Sequence, residues 1–180
     1  GEFGEEDPDR SIAAWAGQAS WTYTFESPLS PDLKIMAAGF SGDDPGTSGD
    51  EGWTPPFSRW PRWSELYIYS LARERGVAFW SNMWFAGAEV TMSPVTRLTL
   101  RGSYLRMIAF HESDWKAPMF EKGKNRGDLF VFRMDFKLVR GLSGHAVYEY
   151  FYPGNYYVSD DAGHFLRFEL TYQFSHKLTI

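Results

Sequence analysis

The sequence predicts an all-β fold, an antiparallel up-and-down sheet that closes into a barrel. Three observations predict it. Apolar and polar residues alternate with a period of two over most of the chain, which is the pattern of strands with one apolar face. The ten prolines fall between the alternating segments or at their ends, because a ladder position cannot tolerate a missing N–H. The connections alternate between short and long, as expected for a chain that runs up and down a barrel.

The alternation defines about seven strands, most of them about 10 to 15 residues long, whereas strands of soluble proteins usually have roughly 5–6. The last strand is the clearest case, since Leu166, Phe168 and Leu170 alternate there with Arg167 and Glu169. The predicted strands cover residues 13–25, 33–40, 80–92, 97–104, 129–138, 145–152 and 164–174.

The predicted connections fall into two length classes. The short ones are 27–31, 93–94 and 141–144, and the long ones are 42–79, 111–127 and 153–163. Outer-membrane barrels have short periplasmic turns and longer extracellular loops. We therefore predict a transmembrane barrel, here a partial barrel of about seven to eight strands with long extracellular loops, and we expect all the long connections at one end of the sheet.

The composition agrees with a membrane barrel, because apolar residues that alternate with polar ones form no long apolar run. Aromatic residues make up 18% of the chain, yet the mean hydropathy is −0.39 and no apolar run approaches the ~20 residues of a membrane helix. The absence of cysteine excludes disulfides and thiolate chemistry. The net charge of −5 argues against nucleic-acid binding. A soluble β-barrel that binds a ligand is the alternative interpretation.

We expect residues 1–180 to be a fragment of a single barrel domain, because the first residues have the composition of a loop and no signal peptide precedes them. A transmembrane β-barrel of this kind predicts a location in the outer membrane of a Gram-negative cell. The expected partners are outer-membrane lipid, lipopolysaccharide and the barrel-assembly machinery. No cofactor is predicted.

Two stretches carry a family resemblance. One is FSRWPRWSELYIY at 57–69, which follows the acidic SGDDPG at 41–46. The other is FYPGNY at 151–156 together with the closing LTYQF at 170–174. Both are similar to the C-terminal portion of the alginate export family of outer-membrane proteins. The resemblance implies a large barrel of about eighteen strands that exports or passively conducts a polysaccharide, or another small solute. It also implies that residues 1–180 are the C-terminal part of the barrel domain.

The face opposite the aromatic one carries charged residues, six basic and four acidic, while the whole chain has a net charge of −5. In a conducting barrel such charges set ion selectivity, here a weak preference for anions such as uronate polymers. A cross-strand salt-bridge ladder that only neutralises the interior is the alternative. The candidate pore-lining residues are Lys34, Arg97, Arg101, Arg133, Asp135, Lys137, Glu149, Arg167 and Glu169, with Glu89 as the tenth charged residue of this face.

Three further stretches contain polar residues that could have a functional role. The acidic loop 42–52 has four carboxylates, but their spacing does not match an EF-hand, so we expect a solvated loop and no metal. Residues 64–76 form either a short helix capped by Ser64 or a short strand, and they fold into the pore or pack on its rim. In residues 111–114, His, Glu, Ser and Asp are adjacent in a loop, where side chains do not converge, so no enzyme is predicted.

Overall fold

The structure is a computed structural model, and it describes residues 1–7, 10–54, 63–66, 81–113, 120 and 123–174. The fold of these residues is all-β, as predicted. Among them no helix is long and apolar enough to cross a membrane. Nine strands are described, which are β1 (Glu2–Asp7), β2 (Arg10–Ala14), β3 (Ala16–Thr24), β4 (Asp32–Phe40), β5 (Met83–Val95), β6 (Leu98–Ile108), β7 (Asn125–Val139), β8 (Leu142–Pro153) and β9 (Gly163–Tyr172).

The strands form two antiparallel sheets. β1 and β2 make a two-stranded hairpin, and β3 to β9 make a seven-stranded sheet in which every strand pairs with its neighbours in sequence. The predicted up-and-down antiparallel order is therefore confirmed. Within the described part of the chain β3 and β9 are the two edges, so the sheet is open, and closure into a barrel stays a prediction.

The long and short connections lie at opposite ends of the large sheet, as predicted. One end, here called the loop end, brings together the termini next to the long connections, namely Phe40 beside Met83, Ile108 beside Asn125, and Phe151 beside Gly163. The other, here called the turn end, holds the tight turns, where Thr24 pairs with Asp32, Val95 with Leu98 and Val139 with Leu142.

Three details differ from the sequence prediction. The first predicted strand is interrupted at Trp15, which lies between β2 and β3. Pro94 lies within β5, where the register shift between Met92 and Val95 leaves room for a residue without an N–H. The β5–β6 turn therefore falls at residues 96–97, and Arg97 is a turn residue.

The two faces of the sheet differ in what covers them. On one face, here called the aromatic face, large apolar side chains are exposed; they include Trp21, Ile35, Trp84, Val90, Tyr104, Phe132, Met134, Tyr148, Leu166, Phe168 and Leu170. On the other, here called the core face, the hydrophobic core lies toward the loop end. Its buried members are Ala38, Leu66, Met83, Phe85, Leu105, Met107, Leu129 and Phe151.

Arg126 contacts two of the connections at the loop end, the one before β5 and the one after β8. Its side chain is fully buried and donates to the carbonyl oxygens of Ser81 and Asn82, each at 3.2 Å, while the guanidinium lies 4.4 Å above the Tyr156 ring. Asn82 in turn exchanges two hydrogen bonds with the backbone of His111, at 2.8 and 2.9 Å. A buried cation thus joins the described parts of two connections at this end, in addition to their apolar contacts.

Close packing of β5 against β6 at Gly87 gives a test of the fold. A Cβ added there would collide with the backbone carbonyl of Tyr104, whereas one added at Gly102 would meet only Phe132 at 3.8 Å. We expect Gly87→Ala to lower the free energy of unfolding by about 1–3 kcal/mol, because overpacking displaces the backbone. Gly102→Ala, the control on β6, should stay close to the unsubstituted protein in the same urea titration. Equal stability of the two variants would contradict this register.

Candidate functional site

The candidate site is a belt of charged side chains on the core face, between the apolar core and the turn end. Strand register places its members in three neighbouring rows, because residues directly opposite each other in an antiparallel sheet share a face. The first row contains Glu89 and Glu149, the second contains Arg101, Arg133 and Arg167, and the third contains Asp135, His145 and Glu169.

Two ion pairs occupy the middle strands of the belt. Arg133 and Asp135 point to the same face of β7, and the guanidinium holds the carboxylate through three hydrogen bonds of 2.6 to 3.0 Å. Arg101 lies 3.7 Å from Glu89 and is about two-fifths exposed. Both pairs link basic and acidic side chains within the belt, as the salt-bridge alternative expects. The side chains of Arg101 and Arg133 nevertheless keep part of their surface exposed.

Arg167 on β9 joins the belt to the chain before β5. Its Nη1 lies 2.8 Å from Oε2 of Glu65, and its Nη2 lies 2.8 Å from Nε2 of His145. Because a guanidinium has only donors, that imidazole nitrogen must accept. Glu169 Oε2 lies 3.9 Å from the same nitrogen. Arg167 thus has both an acidic partner and a histidine partner.

Glu149 is the most buried member of the belt, with 1% of its surface exposed. Its carboxylate accepts hydrogen bonds from the Ser64 hydroxyl at 2.5 Å, the Glu65 amide at 2.7 Å and the Leu66 amide at 3.2 Å. A buried carboxylate requires such partners, since burying an unpaired charge is costly. Free amides at the start of a helical turn are suited to an anion.

The short stretch Trp63–Leu66, here called the inward segment, therefore lies against the core face. Leu66 is buried and has helical backbone geometry, and the Trp63 ring lies 4.9 Å from the Phe85 ring. These four residues pack on the core face, and whether the stretch folds into a pore or packs on its rim stays a prediction, since the described sheet is open. The rest of the stretch 64–76, including Arg73, Glu74 and Arg75, lies outside the described residues.

The remaining predicted pore-lining residues lie apart from the centre of the belt. Lys34 is half-buried on β4 opposite Glu89. Lys137 is exposed at the turn end. Arg97 was predicted on the strand wall, and this is wrong: it lies in the β5–β6 turn and donates to the Leu138 carbonyl at 3.3 Å. The reason is the irregularity at Pro94, which moves the turn three residues along, from 93–94 to 96–97.

Sequence reasoning missed two partners in this site. The sequence pattern predicts no role for His145, the first residue of the predicted strand 145–152, or for Glu65. Period-two alternation detects strand faces, so it gives no signal for a loop residue such as Glu65. The one usable sign was Ser64, predicted as a helix cap, because the free amides beyond a cap need an acceptor.

The acidic loop is satisfied by its own hydrogen bonds. Burial raises the pKa of Asp43, although the Glu51 amide and Arg10 act against this, and the hydroxyl of Thr47 holds the pKa of Glu51 below its usual value. Arg10 of β2 lies 3.2 Å from Asp43 and 3.7 Å from Asp50. Across the described ranges no group of three or more acidic or histidine side chains could hold a metal ion.

The cluster at 111–113 has a structural role in part. The His111 backbone pairs with Asn82, and its ring nitrogen lies 3.8 Å from Asp44, beside the acidic loop. Glu112 is exposed, and Asp114 lies outside the described residues. The described geometry therefore contains no nucleophile hydrogen-bonded to this histidine.

Comparisons with known proteins do not identify a relative. No family model matches the chain, and no curated protein matches it either.

Glu149 gives a direct test of how the inward segment is held. Glu149→Gln turns one of the two acceptor oxygens into an NH2, so either the Glu65 amide or the Leu66 amide then faces a donor instead of an acceptor. The negative charge is lost as well, so we expect the segment to loosen by about 1.5–3 kcal/mol, the value of hydrogen bonds to a charged group. Amide hydrogen exchange at Glu65 and Leu66 should then be about tenfold to a hundredfold faster. Glu89→Gln, a carboxylate in the same row but without these partners, should leave both amides unchanged. Equal exchange in the two variants would contradict the conclusion that Glu149 holds the inward segment.

Proposed function

We propose that this chain belongs to an outer-membrane β-barrel that passes a small anionic solute or an acidic, alginate-like polysaccharide by passive diffusion. The observation that carries the proposal is the inverted arrangement of the sheet. Large apolar side chains are exposed on the aromatic face, while most charged side chains of the strands lie on the core face. A bilayer covers such a face, and water does not.

The aromatic face is nearly free of charge. In the described strands β3 to β9 its charged residues are Arg106 and Asp128, which pair with each other at the loop end. A lipid-facing wall requires this, because a basic residue near the bilayer midplane costs about 2–4 kcal/mol while one at the interface costs little. The placement of Arg106 beside the loop end supports a membrane boundary there.

Aromatic side chains mark two levels on this face. Near the loop end, Tyr104, Phe130, Tyr150 and His164 stand side by side on four strands, with ring centroids 5.0 to 6.2 Å apart. From Phe130 to Phe136 the strand advances about 20 Å, or about 15 Å along the membrane normal at the usual tilt, which fits within the roughly 25 Å apolar band of such barrels. Near the turn end the rings of Phe136 and Phe168 stack at 5.9 Å.

The core face supplies the features of a pore wall. Arg101, Arg133 and Arg167 share one row, and the inward segment lies beside them. A basic strip between low-dielectric walls enriches anions. The resemblance to the alginate export family agrees with this solute class, and lipopolysaccharide and the barrel-assembly machinery are the partners that a barrel of this kind requires.

A soluble β-barrel that binds a ligand is the second candidate. The observation that favours it is the hydrophobic core on the core face, which the inward segment covers. This candidate gives no role to the aromatic face, whose large apolar side chains are exposed; Phe132, for example, is 55% exposed. A barrel-borne enzyme is the third and has less support.

Substitution on the two faces separates these candidates. Phe132→Arg or Leu100→Arg should cost about 2–4 kcal/mol of folding free energy in lipid bilayers, because both side chains lie on the aromatic face. Thr99→Arg, on the core face, is the matched control and should cost little. Urea unfolding in vesicles measures the three variants. If Phe132→Arg is neutral in a protein that folds without detergent or lipid, the soluble candidate is correct.

The charged belt predicts the ion preference of the pore. The double variant Arg101→Ser, Arg133→Ser removes two positive charges from the belt. In planar bilayers, this should shift the reversal potential of the full-length protein toward cation selectivity. The shift should shrink as salt rises, since the Debye length falls from about 10 Å at 0.1 M to 3 Å at 1 M.

Arg97→Ser is the control for this measurement, because it removes the same charge from the exposed turn. It should change the reversal potential much less. No shift at low salt in the double variant would mean that Glu89 and Asp135 already neutralise the two arginines, so that the belt is structural.

A further inference from the structure

The ion pair on the aromatic face lies beside the loop end of the sheet. Arg106 on β6 lies directly opposite Asp128 on β7, with Nη1 2.5 Å from Oδ2. The second oxygen of Asp128 accepts from the Tyr104 hydroxyl at 2.6 Å. Both carboxylate oxygens are therefore engaged, and the aspartate fixes the arginine beside the loop end.

Arg106 keeps most of its hydrogen-bonding capacity. A guanidinium has five N–H donors, and among the described residues Asp128 is the acceptor for one terminal nitrogen. Its side chain is 40% exposed. The guanidinium can therefore form two parallel hydrogen bonds with a further oxyanion, which is the way arginine recognises phosphate.

Aromatic rings surround this cation. Tyr104, Phe130, Tyr150 and Tyr152 line an open hollow of about 720 Å³ around Arg106 and Asp128. The hollow is larger than a phosphate alone requires. Tyrosine rings with hydroxyl groups are suited to the boundary between lipid and water, and they offer flat faces and donors to a sugar.

An apolar groove lies below the hollow on the same face. The small residues Gly102 and Ala146 leave a depression of about 430 Å³ between taller neighbours such as Phe132, Tyr148 and Leu166. Gly102 is four residues from Arg106 on β6, roughly 13 Å along the strand. A charged site and an apolar groove at this separation match a lipid with a phosphorylated headgroup and an acyl chain.

We infer that this hollow and groove bind lipid A, the phosphorylated glucosamine lipid of lipopolysaccharide. Arg106 would hold a phosphate, the tyrosine rings a glucosamine ring, and the groove one acyl chain. The inference rests on the proposed function, which places the loop end at the outer leaflet, where this lipid resides. Phosphatidylglycerol shares the phosphate and the chains but lacks the sugar, so it is the comparison ligand.

The test is a binding titration of lipid A against the full-length protein in detergent micelles. Arg106→Gln should weaken binding about tenfold or more, because a charge-assisted bidentate contact is lost. Arg106→Lys should bind lipid A more weakly than the unsubstituted protein and more tightly than Arg106→Gln, since lysine keeps the positive charge but cannot form two parallel hydrogen bonds. Gly102→Leu, which fills the groove, should also weaken binding. Arg140→Gln, an exposed arginine in the turn at the opposite end, is the control and should bind as the unsubstituted protein does.

Two results would overturn the inference. One is lipid A binding that is unchanged in Arg106→Gln, in protein whose circular dichroism shows a native sheet. The other is phosphatidylglycerol or inorganic phosphate binding as tightly as lipid A. Bilayer insertion, measured separately by vesicle flotation, distinguishes the two levels of the argument. Protein that floats with vesicles but fails the titration refutes the lipid site alone, whereas protein that does not float refutes the proposed function.

Discussion

The hydrogen-bonded register from β4 to β9 is the constraint on which the two faces depend. Side chains alternate with a period of two, so a slip of one residue between Phe132 and Tyr148 would move every aromatic ring of one strand to the core face. The pairing runs without interruption along most of each strand, with shifts confined to the ends. The register thus puts the large exposed apolar side chains on the aromatic face and most charged side chains of the large sheet on the core face.

The buried carboxylate of Glu149 is one of the contacts that connect this sheet to residues 63–66, which lie on its core face. Glu149 has no access to solvent, so its charge is compatible with the fold only while the inward segment supplies its three donors. Arg167 holds the neighbouring Glu65, which gives the segment a second anchor on β9. The covered core and the charged belt are therefore not independent, since both depend on where residues 63–66 lie.

Much of the fold follows from the sequence, because alternation and proline position report directly on strands. The order of the sheet, the sorting of loop lengths and the faces of Arg101, Arg133 and Glu149 were predictable in this way. The position of Arg97 was not, since an irregularity at Pro94 changes the turn without changing the pattern. The contacts of Glu149 with Ser64 and of Arg167 with His145 were hidden for another reason: they join residues distant in sequence, and no local period records them. Closure of the sheet stays a prediction.

The orientation of the two faces toward lipid is the central claim, and site-directed fluorescence measures it most directly. The chain has no cysteine, so single cysteines can be labelled without background. Labels at Phe132→Cys and Met134→Cys lie on the aromatic face, and labels at Val131→Cys and Arg133→Cys lie on the core face of the same strand. In vesicles containing spin-labelled acyl chains, we expect quenching at positions 132 and 134 and little at 131 and 133. Quenching at 131 and 133, or at none of the four positions, would contradict a lipid-facing aromatic wall.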